Sequence, residues 1–96
     1  MARFSKRFLG TYGRYRVYAV PSRVLRDFDG MNFYAARVLG FRPRPGRNEI
    51  FVAASSKDMY RTLRHEVVEA RLMRDRRWSY WRAHTRALRK ERGLRR

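Results

Sequence analysis

The chain sets 25 lysine and arginine residues against eight aspartate and glutamate residues, a formal net charge of +17 in 96 positions. Self-repulsion at that density opposes any compact state. The folds open to such a chain spread their cations over the surface and meet an anionic partner there. Disorder is not the outcome, because 44% of the residues are hydrophobic and 15% aromatic, enough to fill a core. Ninety-six residues support one domain with one modest core. The expectation is a single basic domain over residues 1–96, with a basic arm at 1–9 and a frayed basic end at 93–96.

The type of cation narrows the partner. Twenty-two of the positive residues are arginine and only Lys6, Lys57 and Lys90 are lysine. A guanidinium forks across phosphate oxygens and stacks on bases, which an ammonium does not; a GC-rich genome would also enrich arginine. Nucleic-acid phosphate neutralises such a surface with release of counterions. The absence of cysteine excludes disulfides and a thiolate zinc site. With no glutamine and only Asn32 and Asn48 as asparagines, the composition suits a heat-adapted source. No apolar run reaches membrane-spanning length, and MARFSKRFLG lacks the apolar stretch of a secretory signal, so the expected compartment is the cytoplasm, with no membrane partner.

Periodicity gives the elements. Residues 12–20 alternate and favour β structure, and Pro21 ends the run. Residues 22–28 suit a short helical turn, and 33–41 read as a second strand, with Ala35, Ala36 and Leu39 leaving a helix open. Two prolines and a glycine make 42–48 a loop. Residues 49–53 form a compact strand. A helix capped at Ser55 or Ser56, with Asp58 in the capping-box position, should run to about Arg74 with Met59, Leu63, Val67 and Ala70 on one face. A second, capped by Ser79, should run to about Glu91 with Trp81, Leu88 and Trp78 turned inward. The expected fold is α+β, a small three-stranded antiparallel sheet with two C-terminal helices.

Four basic surfaces follow as nucleic-acid candidates. They are the arm (Arg3, Lys6, Arg7), the strand face with Arg14, Arg16 and Tyr18, and the proline-stiffened loop with Arg42, Arg44 and Arg47. The fourth is the last helix and tail, with Arg76, Arg77, Arg82, Arg86, Arg89, Lys90, Arg92, Arg95 and Arg96. From residue 71 to 96 there are eleven basic residues against Asp75 and Glu91, too few acids for surface ion pairs to explain them. No sequence-reading motif is present, so recognition of shape and backbone is expected. In size, basicity and basic termini the chain resembles the small ribosomal proteins of archaea. That resemblance implies a structural role on rRNA among neighbouring ribosomal proteins, without catalysis. The charge equally allows a DNA-coating chromatin protein.

One segment points elsewhere. Leu63-Arg-His-Glu-Val-Val-Glu-Ala70 puts His65 and Glu69 four apart, on one face of a helix. Arginine stands at neither three nor four residues from Glu66 or Glu69, so helix-surface ion pairs do not account for these acids. A strand followed by a loop and a His-Glu helix resembles the zincin metallopeptidases, whose motif is H-E-x-x-H. Glu69 replaces the second histidine here, and His84 lies fifteen residues beyond it. The resemblance implies a Zn2+ ion held by His65, Glu69 and His84, with Glu66 as the catalytic base, in a minimal metalloprotein of viral or mobile-element type. The competing reading is an RNA-binding protein with no metal, in which His84 merely bonds a buried carboxylate.

Overall fold

A computed structural model describes residues 4–26 and 28–93; the side chains of residues 90–93 are not described. The element order is β1 (Arg7–Tyr12), β2 (Tyr15–Val20), α1 (Ser22–Leu25), β3 (Gly30–Asn32), α2 (Phe33–Leu39), β4 (Glu49–Ala53), α3 (Met59–Asp75) and α4 (Tyr80–Gly93). The sheet runs β1-β2-β4-β3. β1 and β2 form an antiparallel hairpin, β3 pairs antiparallel with β4, and β2 pairs parallel with β4, Val17 beside Ile50 and Ala19 beside Val52.

This corrects the expected three-stranded antiparallel sheet with two C-terminal helices. The sheet has four strands and is mixed, and the described residues form four helices. The physical reason lies in the two central strands. Val17-Tyr-Ala-Val20 and Ile50-Phe-Val-Ala53 are buried at every position. Unbroken apolar runs of this kind belong to strands covered on both faces, the setting of parallel pairs. Tyr15, Val17, Ile50 and Val52 pack with Val67 and Ala70 of α3. The alternate positions Tyr18, Val20, Phe51 and Ala53 pack with Leu25, Met31, Ala35, Ala36 and Tyr80.

Three local expectations change with it. Part of the basic arm, from Arg7 onward, is strand β1, and Gly13-Arg14 turns the chain into β2, so residues 12–20 are not one strand. Residues 33–39 are helical: Asn32 caps α2 by accepting from the Ala35 N–H, and Gly40 closes it at φ 66° with the Phe41 N–H reaching back to Ala36 O. Trp81, expected inward, is 68% exposed, while Tyr80, Ala83 and Ala87 face the core. The frayed end at 93–96 lies outside the described residues beyond Gly93.

The long helices follow their caps. Asp58, not a serine, caps α3 by accepting from the Arg61 N–H at 3.0 Å, and Ser79 Oγ accepts from the Arg82 N–H at the start of α4. α3 crosses β3 closely at Gly30. A Cβ built there would stand 2.7 Å from Thr62 Cγ2 and 2.9 Å from Glu66 Cγ. Gly30 therefore sets how near Glu66 comes to the sheet. Gly30→Ala should cost about 1–3 kcal/mol by overpacking, read as a lower urea midpoint with helix content retained. Adding Thr62→Ser, which removes the nearer methyl, should recover part of that loss.

Candidate metal centre

His65, Glu66 and Glu69 occupy the inward side of α3, and the turn at 76–79 brings α4 back so that His84 meets them. His84 Nδ1 lies 2.8 Å from Glu69 Oε2, His65 Nε2 lies 3.2 Å from the same oxygen, and the two nitrogens are 3.2 Å apart. The Tyr80 ring stacks on His84 at a centroid distance of 5.3 Å and fixes its plane.

The second oxygen of Glu69 belongs to a different contact. Asn32 Nδ2 donates to Glu66 Oε1 at 2.9 Å and to Glu69 Oε1 at 3.0 Å. One side-chain amide thus bridges two carboxylates with its two hydrogens, while its carbonyl caps α2. Asn32 and Glu69 are almost wholly buried, at 1% and 2% exposure. Removing a carboxylate from water is costly unless its oxygens are all engaged. Both oxygens of Glu69 are.

The charge state follows from the surroundings. Burial works to raise the Glu69 carboxyl, but the hydrogen bonds and charges of His65 and His84 outweigh it and hold its pKa below the ordinary 4.5. A depressed folded-state pKa adds stability that is fully present above the unfolded value and is lost as pH falls through the folded one. Glu69 is accordingly ionised at neutral pH. The Tyr80 phenol is pushed up to about 12, first by burial and then by the charges of Glu69 and Glu66, and so stays protonated.

The donor set fits a metal. Two imidazole nitrogens and one carboxylate oxygen, with a fourth position left for water or substrate, are a catalytic zinc set. Bonds of about 2.0–2.1 Å in a tetrahedral site hold ligand atoms about 3.3 Å apart, against 2.8–3.2 Å here. His65, Glu69 and His84 form a potential ligand group, with atoms within 4.8 Å of one another. Glu66 stands next to that group, tied to it through Asn32.

The expected residues are therefore brought together: Glu69 is held by His65 and His84, and by Asn32 as well. Sequence reading missed Asn32. Its signal was an asparagine three residues before the Ala35-Ala36 pair, the position of a cap had a helix been read there.

The basic candidates divide between dispersed positions and one cluster, Arg76, Arg82, Arg86 and Arg89, which line a common groove. Lys6 is committed to Glu49 at 3.7 Å and sits over the Tyr18 ring. Tyr18 itself is buried, so it is no platform for a base. Arg7, Arg14, Arg16, Arg42 and Arg47 are exposed at separate places, and Arg44 is half-buried. Arg76, Arg77, Arg82, Arg86 and Arg89 are exposed on the α3–α4 turn and α4. Arg3, Arg95 and Arg96 lie outside the described residues, as do the side chains of Lys90 and Arg92. Among the described residues no helix is long and apolar enough to cross a membrane.

Asn32→Asp separates the bridge from the cap. Aspartate caps a helix as well as asparagine does, but it sets a third carboxylate against two buried ones. The expected loss is about 3–5 kcal/mol at pH 7, measured by urea unfolding; Asn32→Ser, which keeps a cap and adds no charge, should lose less. Comparison with protein-family models, curated proteins and solved structures finds no match for this chain.

Proposed function

We propose that this protein is a small zinc metalloprotein of the zincin type, a hydrolase in which His65, Glu69 and His84 hold the ion and Glu66 is the general base. The observation that carries the reading is the convergence of three ligand atoms at mutual distances of 2.8–3.2 Å. A chain that only neutralised rRNA phosphate gains nothing from burying two carboxylates and the His65 imidazole beside a part-exposed His84. The ribosomal expectation rests on charge and size alone, and the buried network favours the metal.

When bound, the ion supplies Lewis-acid polarisation and makes water a nucleophile near neutral pH. The residues of the chain do the rest. Glu69 gives one oxygen to the ligand set and the other to Asn32. Asn32 fixes Glu66 beside it by donating its second hydrogen. A carboxylate so oriented accepts a proton from water and passes it on to a leaving group, a role worth about 10²–10⁴-fold in rate. Tyr80 orients His84 by stacking and keeps its own proton.

Protein purified without an affinity tag and dialysed against zinc should retain about one zinc per chain, read by elemental analysis, and chelator should lower its melting temperature. His84→Ala should lose the metal. Glu66→Gln should keep it, since a base is not a ligand. Asn32→Ala should weaken zinc binding by about 10–100-fold, the usual effect of losing an outer partner of a ligand. Wild-type protein with no bound zinc and a melting temperature indifferent to chelator would overturn the reading.

A further inference from the structure

Away from the metal centre, the turn between β1 and β2 and the C-terminal half of α3 enclose a recess of about 340 Å³, walled by Arg14, Tyr15, Arg71 and Arg74. Two hydrogen-bond donors are buried in this wall without a partner among the described residues: Tyr15 Oη and Arg74 Nη1. Tyr15 is 97% buried, at 3% exposure. Asp75 takes the other face of the same guanidinium, accepting from Nε at 2.7 Å and Nη2 at 3.1 Å, and so orients the group that is left over. An unpaired buried donor costs about 1–3 kcal/mol, and two at one recess ask for an acceptor from outside.

Arg71 and Asp75 also line a second, larger groove of about 910 Å³ between α3 and α4. Arg76, Arg82, Arg86 and Arg89 line it as well, and its single carboxylate is the one already engaged by Arg74. Trp81, 68% exposed, lies one turn before Thr85 of this groove on the same helix. A tetrahedral oxyanion fits donors of hydroxyl and guanidinium type, and a row of arginines beyond it fits further phosphates. The exposed Trp81 indole, neighbour in sequence to Arg82 of the groove and in contact with the Tyr80 and His84 rings, fits a base that is not already stacked in a duplex.

We propose that the recess and the groove form one track for the sugar–phosphate backbone of a single-stranded nucleic acid, with Tyr15 Oη and Arg74 Nη1 holding one phosphate at its end. The inference does not rest on the metal reading. It locates the nucleic-acid surface on α3, α4 and the first hairpin turn, and it adds Tyr15, Arg71 and Arg74 to the residues that composition singled out.

The test is fluorescence anisotropy with a labelled single-stranded RNA of twelve nucleotides, on the full chain, at a temperature where circular dichroism shows every variant folded. Tyr15→Phe removes only the hydroxyl. It should melt no lower than wild type, because an unpaired buried group is lost, yet bind about tenfold more weakly. Arg71→Gln, at an exposed residue common to both cavities, should also weaken binding. Arg86→Glu with Arg89→Glu should weaken it far more than Arg23→Glu with Lys57→Glu, which makes the same change in net charge outside both cavities. The salt slope of the groove pair should be shallower by about two. Wild-type affinity in both Tyr15→Phe and Arg71→Gln, or equal losses in the two charge-reversed pairs, would overturn the proposal and leave bulk charge as the sole attraction.

Discussion

The Asn32 side chain carries three obligations at once. It ends β3, caps α2 through its carbonyl, and holds Glu66 and Glu69 through its amide. Each depends on the others, since the amide reaches both carboxylates only if its carbonyl is turned to the Ala35 N–H. A neutral two-hydrogen donor between two carboxylates three residues apart on one helix satisfies an oxygen of each without itself adding charge. An arginine there would have satisfied the same oxygens and cancelled the charge. The asparagine satisfies those oxygens and leaves the charge of the cluster unchanged.

How much of this the sequence discloses depends on the range over which each signal acts. α3 and α4 were legible because their signals are local: apolar positions at helical spacing, Asp58 and Ser79 before them, and a short turn between. The short turn is also what brings His84 to His65 and Glu69, the set that the zincin resemblance implied. Asn32 could not, since its partners lie 34 and 37 residues away and nothing near it in sequence marks them. The sheet failed for a related reason. Its order sets β2 beside β4, strands separated in sequence by α1, β3 and α2, and that pairing is written only in the double-sided burial of both. Residues 33–39 carry β-branched or aromatic side chains at three positions and alanines at two, so propensity is divided; the cap and the Gly40 closure decide it.

α3 carries Arg61 and Arg64 near its start and Arg71 and Arg74 near its end. His65, Glu66 and Glu69 occupy its middle and face inward, whereas Arg71, Arg74 and Arg76 gather at its C-terminal end. Cations near a helix C-terminus interact favourably with the helix dipole, so the arginines sit where the helix itself lowers their cost. None of the three stands three or four residues from Glu66 or Glu69.

α4 shows what that separation demands. Among its described side chains, those fully buried beyond Tyr80 are two alanines, Ala83 and Ala87, and each contributes little apolar area compared with a leucine or valine. Its outer surface carries Arg82, Arg86 and Arg89, which repel the arginines ending α3. Weak packing and like charge both tend to open the helical hairpin. The contacts that oppose opening at mid-helix are the Tyr80 stack and the meeting of His84 with His65 and Glu69. A cation shared by these three residues would tie α4 to α3 where apolar burial is thinnest, and a polyanion between the helices would cancel the repulsion on the outside. Metal and phosphate would then act on the same hairpin from opposite sides, each lowering the cost of keeping it closed.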